Sequence, residues 1–310
     1  GIEINPGLDK SDFKIVYSPQ HGADNIPVRT CLKRLGYDIV PVLAQCAPDP
    51  DYTNTKSPNP EVDASYELAI KLAKEVDADV VAITDPDGDR LGVVAKHNGE
   101  YVLMSGNQSA AVYLEYILSQ RKEKGTLPDN AVMYNTIVTS DLGELVARNY
   151  GVDVEKTLTG FKFIGDKIRK YEKTHEKQFI FGYEESYGCV VEDFVRDKDA
   201  VQAVLLAAEC GNYYKKQGKD LIDVLNELYA KYGTFKESQI ALAKAGAAGA
   251  ARIKEMMDTL RQDKPTEIGG VKVVLSEDYA TSERSDGTTI DLPKSNVLKY
   301  YLEDGSWIAA

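Results

Sequence analysis

Short β-rich runs alternate with amphipathic helical segments through the first two-fifths of the chain, and this alternation leaves few folds open. "FKIVYS", residues 13–18, is a β-rich run that stops at Pro19. In "NIPVRTCLKRLGY", Pro27 is placed for a first helical turn, and Val28, Cys31, Leu32 and Leu35 keep the i, i+3, i+4, i+7 spacing of one helix face. "YDIVPV" predicts a second strand and "PEVDASYELAIKLAKEV" a helix. "ADVVAIT" predicts a strand with few polar positions, as burial on both faces requires. Strand–helix alternation of this kind predicts a parallel sheet covered by helices.

The pattern pauses at "KGTLPDN", residues 124–130, and restarts. "AVMYNTI" predicts a strand, "SDLGELVARNY" and "FKFIGDKIRKYEK" helices, and "KQFIFGYEES" a strand running into a polar loop. "DAVQAVLLAAECGNYYKKQ" and "DLIDVLNELYAKYG" predict two further helices. The architecture repeats although the sequence does not. From about Thr234 the texture changes: the small-residue stretch "ALAKAGAAGAARIKEMM" leads into a helix-like segment, and "VKVVLSEDYA" and "SNVLKYYLEDGSWIAA" predict strands. Two α/β domains are expected, over 1–129 and 130–233, with mixed, mainly parallel sheets covered by helices. A partial α+β domain is expected over 234–310, since its last strand runs to the final residues.

A net charge of −12 repels phosphate backbones, which argues against nucleic acid as a partner. An acidic chain that binds an anionic small molecule must supply a local cationic pocket or a metal. Cys31, Cys46, Cys189 and Cys210 form no C-x-x-C pair, which fits a reducing compartment and argues against structural zinc. "GIEINPGLDK" lacks a signal-peptide core, and no apolar run approaches the roughly 18 residues of a membrane span. A cytoplasmic protein without a membrane partner is expected.

The chemistry concentrates in "AITDPDGDRLGV", residues 82–93. Asp85 stands at the C-terminal end of a predicted buried strand, where open α/β sheets bind ligands. Pro86 and Gly88 let the chain turn Asp85, Asp87 and Asp89 toward one point. Two carboxylates about 4 Å apart repel by roughly 4 kcal/mol at an effective dielectric of 20. Three together favour a hard divalent cation, Mg²⁺ before Ca²⁺. An EF-hand needs Gly at loop position 6 and Glu at position 12; counted from Asp85, the Gly falls at position 4 and position 12 is Lys96. Spacing alone leaves the loop open between a solvated acidic turn and a cation site. Arg90 beside it makes the site attractive to phosphate.

The "DPDGDR" run resembles the metal loop of the α-D-phosphohexomutases, the phosphoglucomutase/phosphomannomutase group. "YSPQHG" and "KSPNPE" resemble that family's second domain, and "TLTGFKFIG" its loop orienting the sugar phosphate. "FGYEESYG" resembles the sugar-binding loop, and "RDKDAV" a following loop whose lysine faces substrate. The resemblance implies that Asp85, Asp87 and Asp89 hold Mg²⁺ and that Arg90 lies near a catalytic phosphoserine. It implies Thr159, Gly160, Phe161, Lys162, Glu184, Ser186 and Arg196 as substrate-binding residues, and Lys198 as an electrostatic aid to phosphoryl transfer. Hexose 1-phosphate and 6-phosphate, of glucose or mannose, would interconvert through a hexose 1,6-bisphosphate.

The resemblance has gaps. The family's T-x-S-H-N-P-type nucleophile loop is not found, nor is its R-P-S-G-T-E-P-like phosphate clamp. The chain is therefore expected to lack the first domain and the end of the fourth, and by itself to bind without turnover. Tyr187-Gly188 stands where many members have Gly-His, so no histidine acid or base is expected in this loop. Two other readings stay open: a Mg²⁺-dependent sugar-phosphate phosphatase with Asp85 as nucleophile, and a non-catalytic sugar-phosphate or metal-binding module.

Overall fold

Lys14–Ser18 (β1) lies between Asp38–Pro41 (β2) and Val80–Thr84 (β3), parallel to both, as the strand–helix alternation predicts. In the computed structural model, which describes residues 2–310, Leu91–His97 (β4) and Glu100–Met104 (β5) extend this sheet antiparallel, in the order β2-β1-β3-β4-β5. Asn98 and Gly99, both with positive φ, make the two-residue turn between β4 and β5. Asn25–Leu35 (α1) and Glu67–Val76 (α2) are the predicted crossover helices. Ahead of α2, Asp63–Tyr66 form a 3₁₀ turn, so the regular helix starts later than the apolar pattern predicts.

Gly106–Glu123 (α3) begins at a capping box between Ser105 and Gln108. The second sheet has the order β7-β6-β8-β9, from Ala131–Thr136 (β6), Asp153–Thr157 (β7), Gln178–Tyr183 (β8) and Cys189–Val190 (β9). β6 is parallel to β7 and β8, and β9 is antiparallel to β8. Its helices are Leu142–Asn149 (α4), Phe161–Thr174 (α5), Ala200–Lys215 (α6) and Leu221–Tyr232 (α7).

One core draws on both sheets. Ile15, Tyr17 and Val93 belong to it from the first, Met133 and Phe181 from the second, and much of α3 and α6 fills the layer. α2 covers a separate cluster around Val16, Val81 and Val94, and α5 another around Val132, Tyr134 and Val190. Residues up to Phe235 accordingly form one compact unit. The 129/130 division expected from sequence falls between α3 and β6, two elements of this shared core.

Lys236–Ala310 form the second unit. Gly246–Asp263 (α8) accompanies an antiparallel sheet of Glu267–Ile268 (β10), Val271–Asp278 (β11), Glu283–Arg284 (β12), Leu298–Leu302 (β13) and Trp307–Ala309 (β14). Its buried Glu277 accepts hydrogen bonds from Arg284 Nε at 2.7 Å and Tyr279 Oη at 2.7 Å. No helix of the described residues is long and apolar enough to cross a membrane.

Glu155 on β7 offers a test of the second sheet's edge. Tyr171 Oη donates to it at 2.7 Å, Lys177 Nζ at 2.9 Å, and Lys167 Nζ lies at 3.0 Å. Burial raises its pKa, but these partners outweigh burial and bring it to about 2, from an ordinary 4.5. A depressed carboxylate contributes stability that is present above the unfolded value and lost as pH falls through the folded one. That difference corresponds to about 3 kcal/mol. In urea unfolding, Glu155→Gln is expected to be less stable than wild type by about that amount at pH 7, the gap closing between pH 4.5 and pH 2.

Candidate functional site

β3 is buried at every position and delivers Asp85, 1% exposed, into the loop that leads to β4. The loop folds around that carboxylate. Asp85 Oδ1 accepts from the backbone N–H of Asp89 at 3.1 Å and of Arg90 at 3.0 Å, while Oδ2 accepts from Arg90 Nε at 2.7 Å. Burial pushes the Asp85 carboxyl above the usual range, against the pull of Arg90. Carboxylate oxygens of Asp85, Asp87 and Asp89 lie within 4.8 Å of one another. Arg90 Nη1 also reaches Asn59 Oδ1 and Glu61 Oε1, each at 3.1 Å, in the "SPNPE" loop. An all-carboxylate donor set fits a hard divalent cation.

Asp24, which lies in none of the short motifs, packs against this loop. It occupies the N-cap position of α1, yet its side chain makes no capping hydrogen bond. The carboxylate instead lies against Gly88, whose φ is +76°; a methyl group there would sit 2.6 and 2.8 Å from the two Asp24 oxygens. Burial first, then Asp199 and the three loop aspartates, push Asp24 up to about 7.

β8 delivers Glu184, 4% exposed, to the second loop. Its Oε1 accepts from the Gly160 N–H at 2.6 Å, which ties "TLTGFKFIG" to "FGYEESYG". Burial raises the Glu184 pKa against that bond and Lys198. Lys198 Nζ lies 2.9 Å from Asp89 Oδ2 and 3.8 Å from Glu184 Oε2, so one ammonium faces both loops. Backbone bonds hold them together: Leu91 N–H donates to Tyr187 O at 2.9 Å, and Ala200 N–H to Gly88 O at 3.0 Å.

The remaining expected ligands divide. Thr159 and Lys162 are exposed at the start of α5, and Ser186 is half-buried in its loop. Phe161 is buried with Ile164 and Ile168, and the Lys198 ammonium lies 5.8 Å from the centre of its ring. Arg196 is turned toward Glu172 Oε2 at 2.7 Å and the Val195 carbonyl at 3.2 Å, and makes no ion pair with Asp89 or Glu184. Glu185 Oε2 accepts from Thr136 Oγ1 at 2.9 Å and Thr139 Oγ1 at 3.1 Å, which anchors the loop to β6; neither threonine lies in a recognised motif.

Residues 4–99 match the family model "Phosphoglucomutase/phosphomannomutase, alpha/beta/alpha domain II", and residues 105–232 match that for domain III. A phosphoglucomutase of Staphylococcus haemolyticus is 36% identical over 305 residues, covering 96% of this chain and 55% of that protein. The chain thus spans about half the length of the curated relatives it matches. Among solved structures, the exocytosis-sensitive phosphoprotein parafusin of Paramecium, a phosphoglucomutase, superposes with a TM-score of 0.65 at 18% identity, over 99% of this chain and 52% of that one. An N-acetylphosphoglucosamine mutase of Aspergillus fumigatus, in complex with glucose 1,6-bisphosphate, superposes with a TM-score of 0.51 at 15% identity, over 84% and 55%. With two consecutive domain models in order along its two sheets, the chain belongs to the phosphoglucomutase/phosphomannomutase family.

Proposed function

We propose that these 310 residues carry the metal and sugar sites of a phosphohexomutase that interconverts hexose 1-phosphate and hexose 6-phosphate, of glucose or mannose. The observation that supports this most is the position of Lys198, between Asp89 at 2.9 Å and Glu184 at 3.8 Å. An acidic loop suited to a cation and a loop suited to a polyol meet at one ammonium.

Asp85, Asp87 and Asp89 would hold Mg²⁺. When bound, Mg²⁺ supplies positive charge against the transferring phosphoryl group. Arg90 orients Asp85 through its Nε and adds a guanidinium beside the phosphate position. Glu184 keeps one oxygen on Gly160 and offers the other to sugar hydroxyls; Ser186, Thr159, Gly160 and Lys162 border the same loops. Lys198 contributes charge to the phosphate. A phosphoserine donor and a hexose 1,6-bisphosphate intermediate complete the scheme; the bisphosphate is the ligand bound in the Aspergillus relative. Four free thiols support a cytoplasmic setting.

The phosphatase reading requires a free Asp85 carboxylate as nucleophile. Here both of its oxygens are engaged by the loop's own N–H groups and Arg90, which suits a structural ligand better. No T-x-S-H-N-P-type loop occurs within the 310 residues, so this chain is proposed to bind without turning over.

Glucose 1-phosphate, Mg²⁺ and glucose 1,6-bisphosphate primer test both statements. Saturable bisphosphate binding in calorimetry, with no 6-phosphate formed, is the expected result. Absence of binding contradicts the proposal. Phosphate release abolished by Asp85→Asn would establish the phosphatase instead.

A further inference from the structure

Asp24 has an unusual placement for its residue type. An aspartate at a helix N-cap ordinarily accepts a hydrogen bond from the first turn. Asp24 stands at that position before α1 and makes no such bond. It is 6% exposed, and its Oδ2 is fully enclosed with no hydrogen-bond partner. Enclosing a carboxylate without partners costs several kcal/mol in general.

The carboxylate is directed at the acidic loop. Both oxygens come closer than 3 Å to the point where a side chain on Gly88 would begin, midway between Asp87 and Asp89. Asp199, the N-cap of α6, adds a further negative charge near it, and the Ala200 N–H holds Gly88 O at 3.0 Å. Arg90 and Lys198, the bases that ion-pair with the loop, are engaged with Asp85, Asp89, Glu61, Asp197 and Glu184 among the described residues, and none of their ion pairs is to Asp24; His21 Nδ1 is held on the Ala47 carbonyl at 2.7 Å and Arg29 Nη1 donates to Asn25 Oδ1 at 3.1 Å. What would balance Asp24 is therefore a positive charge on the other side of Gly88.

We propose that Asp24 is a positioning residue for the cation on the Asp85–Asp89 loop: a fourth carboxylate that acts through Gly88 and strengthens the hold on a divalent ion. This rests on reading that loop as a cation site. In the absence of the ion, Asp24 opposes the neighbouring aspartates. With the ion in place, its charge favours the complex. A residue that serves only the fold would do neither.

Mn²⁺ titration of the chain by electron paramagnetic resonance at pH 8, with thermal unfolding of the metal-free protein, tests it. Asp24→Asn keeps a helix-capping side chain. It is expected to weaken Mn²⁺ about ten- to hundredfold, as losses of supporting groups around metal ligands do. It is also expected to raise the unfolding temperature of the metal-free protein. Unchanged Mn²⁺ affinity overturns the proposal, and so does weakening accompanied by a lower metal-free unfolding temperature. Asp24→Ser gives the same readouts should the asparagine variant not fold. The triple variant Asp85→Asn, Asp87→Asn, Asp89→Asn separates the two levels. If wild type binds no better than the triple variant, the cation-loop reading itself fails. If the triple variant loses Mn²⁺ while Asp24→Asn does not, only the role of Asp24 falls.

Discussion

Gly22→Ala is expected to destabilise the protein by about 3 kcal/mol, at the upper end of what overpacking costs, and to weaken Mn²⁺ binding with it. The new methyl group would lie 2.5 Å from Pro86 Cα, 2.7 Å from Pro86 O and 2.8 Å from Pro19 O. All three are backbone atoms, so no side-chain rotation relieves the contact. The two segments are also tied, since Ala23 N–H donates to Pro86 O at 2.9 Å. Pro86 is flanked by Asp85 and Asp87, and any displacement of it moves two of the three loop carboxylates. Urea unfolding and Mn²⁺ titration measure the two effects. A loss under about 0.5 kcal/mol, the range of an ordinary surface change, would mean that the loop yields freely and is not fixed by this contact.

Glu184→Ala is expected to reduce glucose 1,6-bisphosphate affinity by about a hundredfold while leaving Mn²⁺ affinity within about twofold. The substitution removes the acceptor of the Gly160 N–H and the carboxylate facing Lys198. A hydrogen bond to a charged group contributes about 1.5–3 kcal/mol, and here the same residue also orients the adjoining loop. Asp85 is held by the loop's own N–H groups and Arg90, and the loop reaches Glu184 only through Lys198, whose shorter contact, 2.9 Å against 3.8 Å, is to Asp89 and remains in the variant. Calorimetry with the bisphosphate, beside Mn²⁺ titration, resolves the two. Equal losses of both ligands would show that Glu184 serves the fold of the whole site and not sugar binding.

Much of the first unit can be read from pattern, for physical reasons. β1, β2 and β3 are short, β-rich and punctuated by amphipathic helices, and they pair in parallel as that pattern predicts. α3 escaped because it is buried almost all round, so its sequence shows no apolar stripe to mark it. The β4–β5 hairpin carried a usable signal, the Asn98-Gly99 pair between apolar runs. β7, "DVEKT", is an edge strand rich in charge, and its pairing with β6 rather than its composition makes it a strand.

The site divides in the same way. Asp85, Asp87, Asp89, Glu184 and Lys198 stand in short contiguous motifs, and the structure brings them together. Asp24 contributes from 61 residues before Asp85, through a close approach to Gly88 that only the fold creates. Thr136 and Thr139 act on Glu185 across a similar distance. Phe161 and Arg196 lie in short motifs too, but their contacts, with Ile164 and Ile168 on α5 and with Glu172, appear only in the fold. A motif therefore locates a loop more surely than it assigns each side chain.

The central claim is that the aspartate loop and the Glu184 loop form one site, with a cation and a sugar phosphate bound side by side. The most direct measurement is the paramagnetic broadening of the ³¹P signals of glucose 1,6-bisphosphate by Mn²⁺ bound to this chain. Strong broadening with the wild-type chain, lost with the triple Asp85→Asn, Asp87→Asn, Asp89→Asn variant, is the result predicted. Broadening that is absent in the wild type, or unchanged in the triple variant, would contradict the account.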